Sequence, residues 1–393
     1  MASEFPPQLM AKLSDDVYAL SKLPKLDQAT AFLNTNYGGA LEFSTENMLV
    51  GKTGGPAFIK VKTAFGFVLT GKGVLAGHAF VVFRGTQYLA DWLTNGNVLF
   101  SSSSAGKKVH DGFNMAFKSI LPKISPFIEQ LPPGTKVHCL GHSLGGALAT
   151  LCAEWVKRNT VFDCYLYSFG SPRVGFNEFS TSCTADLGCQ KIFRAFHRTD
   201  IVPCIPFWPF VHTPNTGRQY YIYSPGDMPG GEWHSMELYV KSVGSLSWDQ
   251  LYSKGQANMQ KLDVAAWLKD TTRKCLYSVA SLKWIDQALQ FVIGKCLGMA
   301  TKALNFVTSS YSTLMDRLAY ILAKGGLSDG SISAWVSLLM AKIAQFLGLG
   351  NTVKEGENLS QSSIRDLLGK LQVKANAMAK QALSHALVSG RAL

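Results

Sequence analysis

The sequence predicts an α/β fold built on a mostly parallel sheet, followed by an all-helical extension. Three observations predict it. Apolar strand-length runs alternate with amphipathic stretches over residues 1–244, the pattern of a sheet covered by helices. A Gly-rich junction, Gly141-His142-Ser143-Leu144-Gly145, lies between one such strand and one such helix. After about residue 245 the strand-like runs stop and helical periodicities take over.

Residues 8–22 place Leu9, Leu13, Val17, Tyr18 and Leu20 near one helical face. AFGFVLTG (64–71) and HAFVVFRG (78–85) read as strands divided by Lys72-Gly73, the second more apolar and therefore central. KTGGPA (52–57) lacks the lysine–hydroxyl ending of a phosphate-binding loop and reads as a turn. A helix is expected over 112–130. Residues 137–140 form the strand before the junction. From Gly146 on, Ala147, Leu148, Leu151, Cys152 and Trp155 recur at helical spacing. FDCYLYSFGSPRVG (162–175) begins as a strand and breaks at Gly170-Ser171-Pro172. Residues 191–197 and 218–224 are further strands, separated by a proline-rich loop to Pro214. Helices are expected near 257–269, 275–299, 301–323, 331–348 and 359–388, with Lys324-Gly325-Gly326 as a break.

The 393 residues are 47% hydrophobic and 16% charged, which excludes a disordered or fibrous chain. Of the net charge of +12, residues 245–393 carry +8, with 17 basic and 9 acidic residues. Such an excess suits an anionic surface. The tail has no Arg-rich cluster or aromatic platform, so a membrane surface is expected and no nucleic acid. A protein partner for 245–393 is a further expectation. Eight scattered cysteines lack the spacing of a zinc site and read as free thiols; Cys183 and Cys189, flanking a short loop, are the pair that could bridge. The first residues lack the charged start and apolar core of a secretory signal. The expectation is synthesis in the cytosol, with membrane association or a signal-independent export route open. Residues 331–350 and 275–299 are apolar but interrupted by Lys342 and Gln345, and by Lys283, Asp286 and Lys295. Bundle helices and membrane-lying helices are both compatible with them.

A serine on a sharp strand-to-helix turn is a nucleophile elbow, the arrangement of the α/β-hydrolase fold. Ser143 is the expected nucleophile, and the N–H of Leu144 the first oxyanion donor. Asp200, closing the strand KIFRAFHRTD, is the favoured acid, because a carboxylate at a strand's carboxyl end lies where the nucleophile emerges; Asp163 and Asp186 are alternatives. Among His197, His212 and His234, the last opens a loop-to-helix junction and is the favoured base. Gly85 permits a sharp exit from its strand, and Thr86 after it supplies the second oxyanion donor.

These pieces resemble the class 3 lipase family, whose best-known members are fungal lipases. The matching motifs are VVFRGT (81–86) with Asp91-Trp92, VHDGF (109–113), GHSLGGALA (141–149), FGSPRVG (169–175), Asp200-Ile201-Val202-Pro203, and His234 with Leu238-Tyr239. The resemblance spans about residues 8–243. It implies Ser143, Asp200 and His234 as triad, Thr86 and Leu144 as oxyanion hole, and His212 as a loop histidine that is not the base. It also implies a lid over 88–100, with Tyr88, Leu89, Trp92 and Leu93 facing site or lipid and SSSSAG (101–106) as hinge. FWPFVHTP and TSCTADLGCQ depart from the family pattern around the acyl pocket. Nothing in the resemblance covers 245–393, so the domains are expected at 1–244 and 245–393.

The expected function is serine hydrolysis of lipid esters without cofactor or metal. The lid and the basic tail favour phospholipase A-type action on membrane phospholipid, with tri- or monoacylglycerol as the alternative substrate. Residues 245–393 also fit a toxin-like effector delivered into another cell. A hydrolase scaffold kept for membrane binding is the reading from a different class.

Overall fold

The computed structural model describes residues 5–21, 26–43, 48–53, 61–85, 100–226, 231–259, 262–299, 314–350, 352–353, 357 and 359–388. Helices α1 (Pro7–Leu20) and α2 (Leu26–Tyr37) precede strands β1 (Leu41–Glu42), β2 (Met48–Thr53), β3 (Val61–Gly71) and β4 (His78–Phe83). Short strands β5 (Phe100–Ser102) and β6 (Lys108–His110) lead into α3 (Asp111–Glu129). Then come β7 (Lys136–His142), α4 (Leu144–Asn159), β8 (Asp163–Phe169), β9 (Gly175–Phe176), α5 (Asn177–Leu187) and β10 (Ile192–His197). The sheet domain closes with β11 (Phe210–Val211), β12 (Tyr220–Ile222) and α6 (Met236–Val243).

The main sheet runs β1-β3-β4-β7-β8-β10-β12, with β2 also on β3. Strands β4, β7, β8, β10 and β12 are mutually parallel, and β1, β2 and β4 lie antiparallel to β3. This is the mostly parallel sheet of an α/β-hydrolase. Central strands are apolar on both faces because helices cover both: Phe80, Val81, Phe83, Val137, Cys139, Leu140, Leu166 and Phe169 are all fully buried. A second, four-stranded antiparallel sheet, β11-β9-β6-β5, flanks the first.

After Gly244 the described regular structure is helical: α7 (Trp248–Asn258), α8 (Val264–Lys269), α9 (Val279–Met299), α10 (Leu314–Ser328), α11 (Gly330–Leu347) and α12 (Gln361–Val388). The expected helix over 257–269 is present as α8, over its second half, and α7 before it was not expected. Ser247 starts α7 with a capping box to Gln250, and Asp263 caps α8. Residues 301–313 of the next expected helix lie outside the described residues. The expected break at Lys324-Gly325-Gly326 is absent, since α10 runs through it. A side chain at Gly325 would strike Cys296 of α9, so the glycine serves close packing of α10 on α9 rather than a turn. Helix α11 is long and apolar enough to cross a membrane, with mean hydropathy 1.3, but 61% of it is buried within the protein. Its interrupting Lys342 donates to the carbonyls of Asp270 (2.6 Å) and Arg273 (2.9 Å).

The helices meet the sheet domain at several places. Helix α7 packs on β12, α9 reaches the 202–204 turn, and α12 packs on the 231–234 turn. Arg173, in the loop after β8, holds Asp286 of α9 through two hydrogen bonds of 2.8 and 2.7 Å. All eight cysteines are free thiols, Cys183 buried and Cys189 partly exposed.

Candidate active site

Strand β7 is buried along almost its whole length and delivers the chain to Ser143 at φ 58°, ψ −128°. Among the described non-glycine residues it alone has a positive φ. A β-carbon at Gly145 would collide with the Phe83 carbonyl, and one at Gly141 with the Gly145 backbone. The two glycines thus let the turn close against β4 and α4, and the strain at Ser143 lifts its hydroxyl off the sheet edge. Helix α4 begins at Leu144, so the Leu144 N–H lies in the helix's first turn, where backbone donors lack intrahelical acceptors.

The Ser143 hydroxyl donates to Nε2 of His234 at 2.8 Å. Nδ1 of His234 donates to both oxygens of Asp200, at 3.0 and 2.9 Å. Asp200 also accepts from the Val202 N–H (2.9 Å) and the Tyr239 hydroxyl (2.7 Å). The Tyr239 oxygen in turn accepts from the His197 N–H at 3.0 Å. Burial and the neighbouring Asp200 push the Tyr239 phenol well above its ordinary range, so it remains a proton donor to the carboxylate. Asp200 and His234 are fully buried and Ser143 is 1% exposed. The three side chains are hydrogen-bonded in a line and shut off from solvent.

A second line of hydrogen bonds backs the first. Burial holds the His142 ring neutral. Its Nε2 donates to the His234 carbonyl (2.7 Å) and its Nδ1 accepts from the Tyr18 hydroxyl (2.8 Å). The Tyr18 oxygen accepts from the Gly85 N–H at 2.7 Å. Helix α1, the elbow, the exit of β4 and the histidine loop are thereby fixed to one another.

The alternatives have other work. His197 bonds the Trp233 carbonyl (2.7 Å) and the Ser242 hydroxyl (2.9 Å), and burial lowers its pKa to about 4. It braces the turn that carries His234. His212 accepts through Nε2 from Arg173 (3.3 Å) and Arg194 (3.0 Å), which with its burial keeps it neutral. Asp163 pairs with Lys191, and Asp186 with Arg158 at 2.7 Å. Thr86 and the lid residues Tyr88, Leu89, Trp92 and Leu93 lie outside the described residues. Tyr18, His142 and Tyr239 stand in motifs of the sequence, but the hydrogen bonds they make to the site are disclosed only by the structure. Tyr239 follows His234 by five residues, and that spacing was its signal.

A model of the family described as Lipase (class 3) matches residues 80–210. Through this segment the chain is similar to the class 3 lipases. It is 34% identical over 147 residues to secreted mono- and diacylglycerol lipase 1 of Fusarium solani, covering 36% of this chain and 43% of that protein. It is 27% identical over 226 residues to phospholipase A1-II 1 of Oryza sativa subsp. indica, covering 48% of this chain and 56% of that one. The chain thus spans about half the length of the curated relatives it matches. Among solved structures, a Rhizomucor miehei lipase in a propeptide complex aligns with a TM-score of 0.43 at 24% identity, over 56% of this chain and 66% of that chain.

Proposed function

We propose that this chain is a lipase of the class 3 type that hydrolyses carboxylic esters of lipids through an acyl-enzyme on Ser143. The observation that carries the reading is the unbroken hydrogen-bonded line from Ser143 through His234 to Asp200. His234 takes the serine proton at Nε2 as Oγ attacks the ester carbonyl. Asp200, held by Val202 and Tyr239, fixes the tautomer and stabilises the imidazolium. The Leu144 N–H, with Thr86 after the Gly85 exit, donates to the oxyanion. His234 returns the proton to the leaving alcohol, and water repeats the sequence on the acyl-enzyme.

Within that reading we favour membrane phospholipid over neutral glyceride. The support is the excess of +8 in residues 245–393, which attracts anionic bilayers, and the phospholipase A1 among the relatives. The test is mass spectrometry of products from mixed anionic and zwitterionic vesicles and from emulsified triacylglycerol, with wild type and Ser143→Ala. Lysophospholipid and fatty acid from wild type alone is the expected result. Diacylglycerol with phospholipid untouched would make it a neutral lipase. A fluorophosphonate probe that labels neither protein would favour a binding scaffold.

A further inference from the structure

A cavity of about 730 Å³ lies outside the carboxyl ends of β10 and β12, under one face of α9. That is the edge where open α/β sheets take their ligands, and the size falls within the range of about 300–1,000 Å³ found for small-molecule sites. Its sheet side presents Phe196, Arg198, Tyr221 and Tyr223, and its α9 side presents Lys283 and Trp284. Thr199, next to Asp200, also lines it, yet Ser143, Asp200 and His234 do not.

The charge arrangement selects the ligand. The Arg198 guanidinium is anchored by the Ser224 carbonyl at 3.1 Å and by that of Gly226, and lies 5.6 Å from the Tyr223 ring centre. Lys283 donates to the Arg198 carbonyl and lies 5.7 Å from the Phe196 ring centre. Two cations therefore share one cavity, and no Asp or Glu is among the described residues lining it. An oxyanion in the cavity would add a charge-assisted partner to the carbonyl and aromatic contacts these two cations already make. Apart from Thr199, Asn258 and Gln287, the remaining wall is apolar or aromatic, with Met259, Leu262, Ala280 and Trp284 among it, which suits a hydrocarbon body.

We propose that this cavity binds an amphiphile with an oxyanion head, the carboxylate or phosphate on Lys283 and Arg198 and the apolar part against Trp284 and the tyrosines. It is a second lipid site, separate from the triad and dependent on the helical extension. The head has two natural sources, a fatty acid released by hydrolysis or the phosphate of a membrane lipid.

The test uses the full chain with Ser143→Ala, so binding is read without hydrolysis and independently of the esterase reading. Decanoate, decyl phosphate and decanol, below their aggregation limits, are titrated with tryptophan fluorescence and calorimetry as readouts. The same titrations are run with Lys283→Met and with Ala280→Phe, which fills the cavity from α9 without removing a side-chain hydrogen bond. Saturable binding of an anion is expected, at least tenfold weaker in Lys283→Met, absent in Ala280→Phe, and absent for decanol. Preference for decanoate assigns the released acid, and preference for decyl phosphate assigns the phospholipid head. Equal binding in wild type and Ala280→Phe, equal binding of decanol, or no saturable binding of either anion would overturn the proposal. If Lys283→Met fails to fold, Ala280→Phe decides.

Discussion

Asp286→Asn tests how strongly the helices after Gly244 are tied to the sheet that carries Ser143. The Arg173 side chain is 8% exposed and that of Asp286 is 3% exposed. Besides the bidentate contact, Arg173 donates to the Pro206 carbonyl (3.2 Å) and to His212, and Gln290 donates to Asp286 at 2.8 Å. Replacing the carboxylate by an amide keeps the shape and leaves a guanidinium buried without its counter-charge. It also leaves Arg173 beside Arg194, whose pKa burial and that like charge already lower to about 9. Removing one partner of such a pair costs about 3–5 kcal/mol. At roughly 2.1 cal/mol/K per residue, this chain unfolds with an entropy of about 0.8 kcal/mol/K, so Tm should fall by about 4–6 °C if it melts as one unit. The assay is thermal unfolding by circular dichroism at pH 7.5. The double variant Arg173→Met, Asp286→Leu removes both charges and should recover most of the loss, because the cost comes from the orphaned charge. A shift under about 1 °C for Asp286→Asn, or a double variant as unstable as the two singles summed, would refute the reasoning.

Tyr239→Phe removes one donor from Asp200, a charge-assisted bond worth about 1.5–3 kcal/mol when lost outright. With His234 and Val202 still bonded, kcat should drop roughly tenfold at constant KM, by the scale of about 1.4 kcal/mol per factor of ten; an unchanged kcat would deny Tyr239 a positioning role. Acid should destabilise the fold. Burial lowers His110 to about 4, His138 to about 3 and His197 to about 4. The unfolded chain then binds more protons below pH 6.5, so stability is full above that pH and falls as pH drops toward 4. Each histidine contributes up to about 2 kcal/mol of that loss by pH 5. Asp15, raised to about 6 mainly by burial, opposes this between pH 6 and 4 without cancelling it. A urea midpoint that stays level or rises from pH 7 to 5 would contradict the assignment. Finally, Ser143 at 1% exposure must be uncovered before it meets lipid. Fluorophosphonate labelling should be at least tenfold faster with phospholipid vesicles than in buffer, and equal rates would show that the closed site opens freely in water.

What the sequence disclosed follows the range of the interactions. The elbow was legible because its geometry is local: Gly141 and Gly145 bracket a serine between a strand and a helix, and each glycine has a contact that excludes a side chain. Asp200 and His234 were legible through chain order and element ends. Strands β5, β6, β9 and β11, of two or three residues each, were not, because they exist by pairing across the chain, as Val109 does with Gly175. Helix α2 and strand β2 were passed over, having little periodicity between breakers. Gly325 misled because local propensity and close packing both select glycine, and only the neighbour, Cys296, tells them apart.

The charges interrupting the apolar helices teach the same point from the other side. In the sequence, Asp286, Lys283 and Lys342 only interrupt apolar runs and leave bundle and membrane-lying helices both open. In the structure Asp286 binds Arg173, Lys283 caps the Arg198 carbonyl, and Lys342 closes on two carbonyls near the end of α8. All three charges therefore make contacts within the protein, and that of Lys283 is to a carbonyl two residues before Asp200. Counting them as membrane-directed charge overstates the tail's pull on a bilayer. An anionic surface would be met by the exposed lysines of α12, such as Lys370 and Lys380, while Lys283 is reserved for the cavity beside Thr199. Neutralising Lys370 and Lys380 should weaken vesicle binding without changing the affinity of decanoate, and neutralising Lys283 should do the reverse. Salt should act on the first far more than on the second, since exposed charges are screened within about 10 Å at 0.1 M and a half-buried one much less.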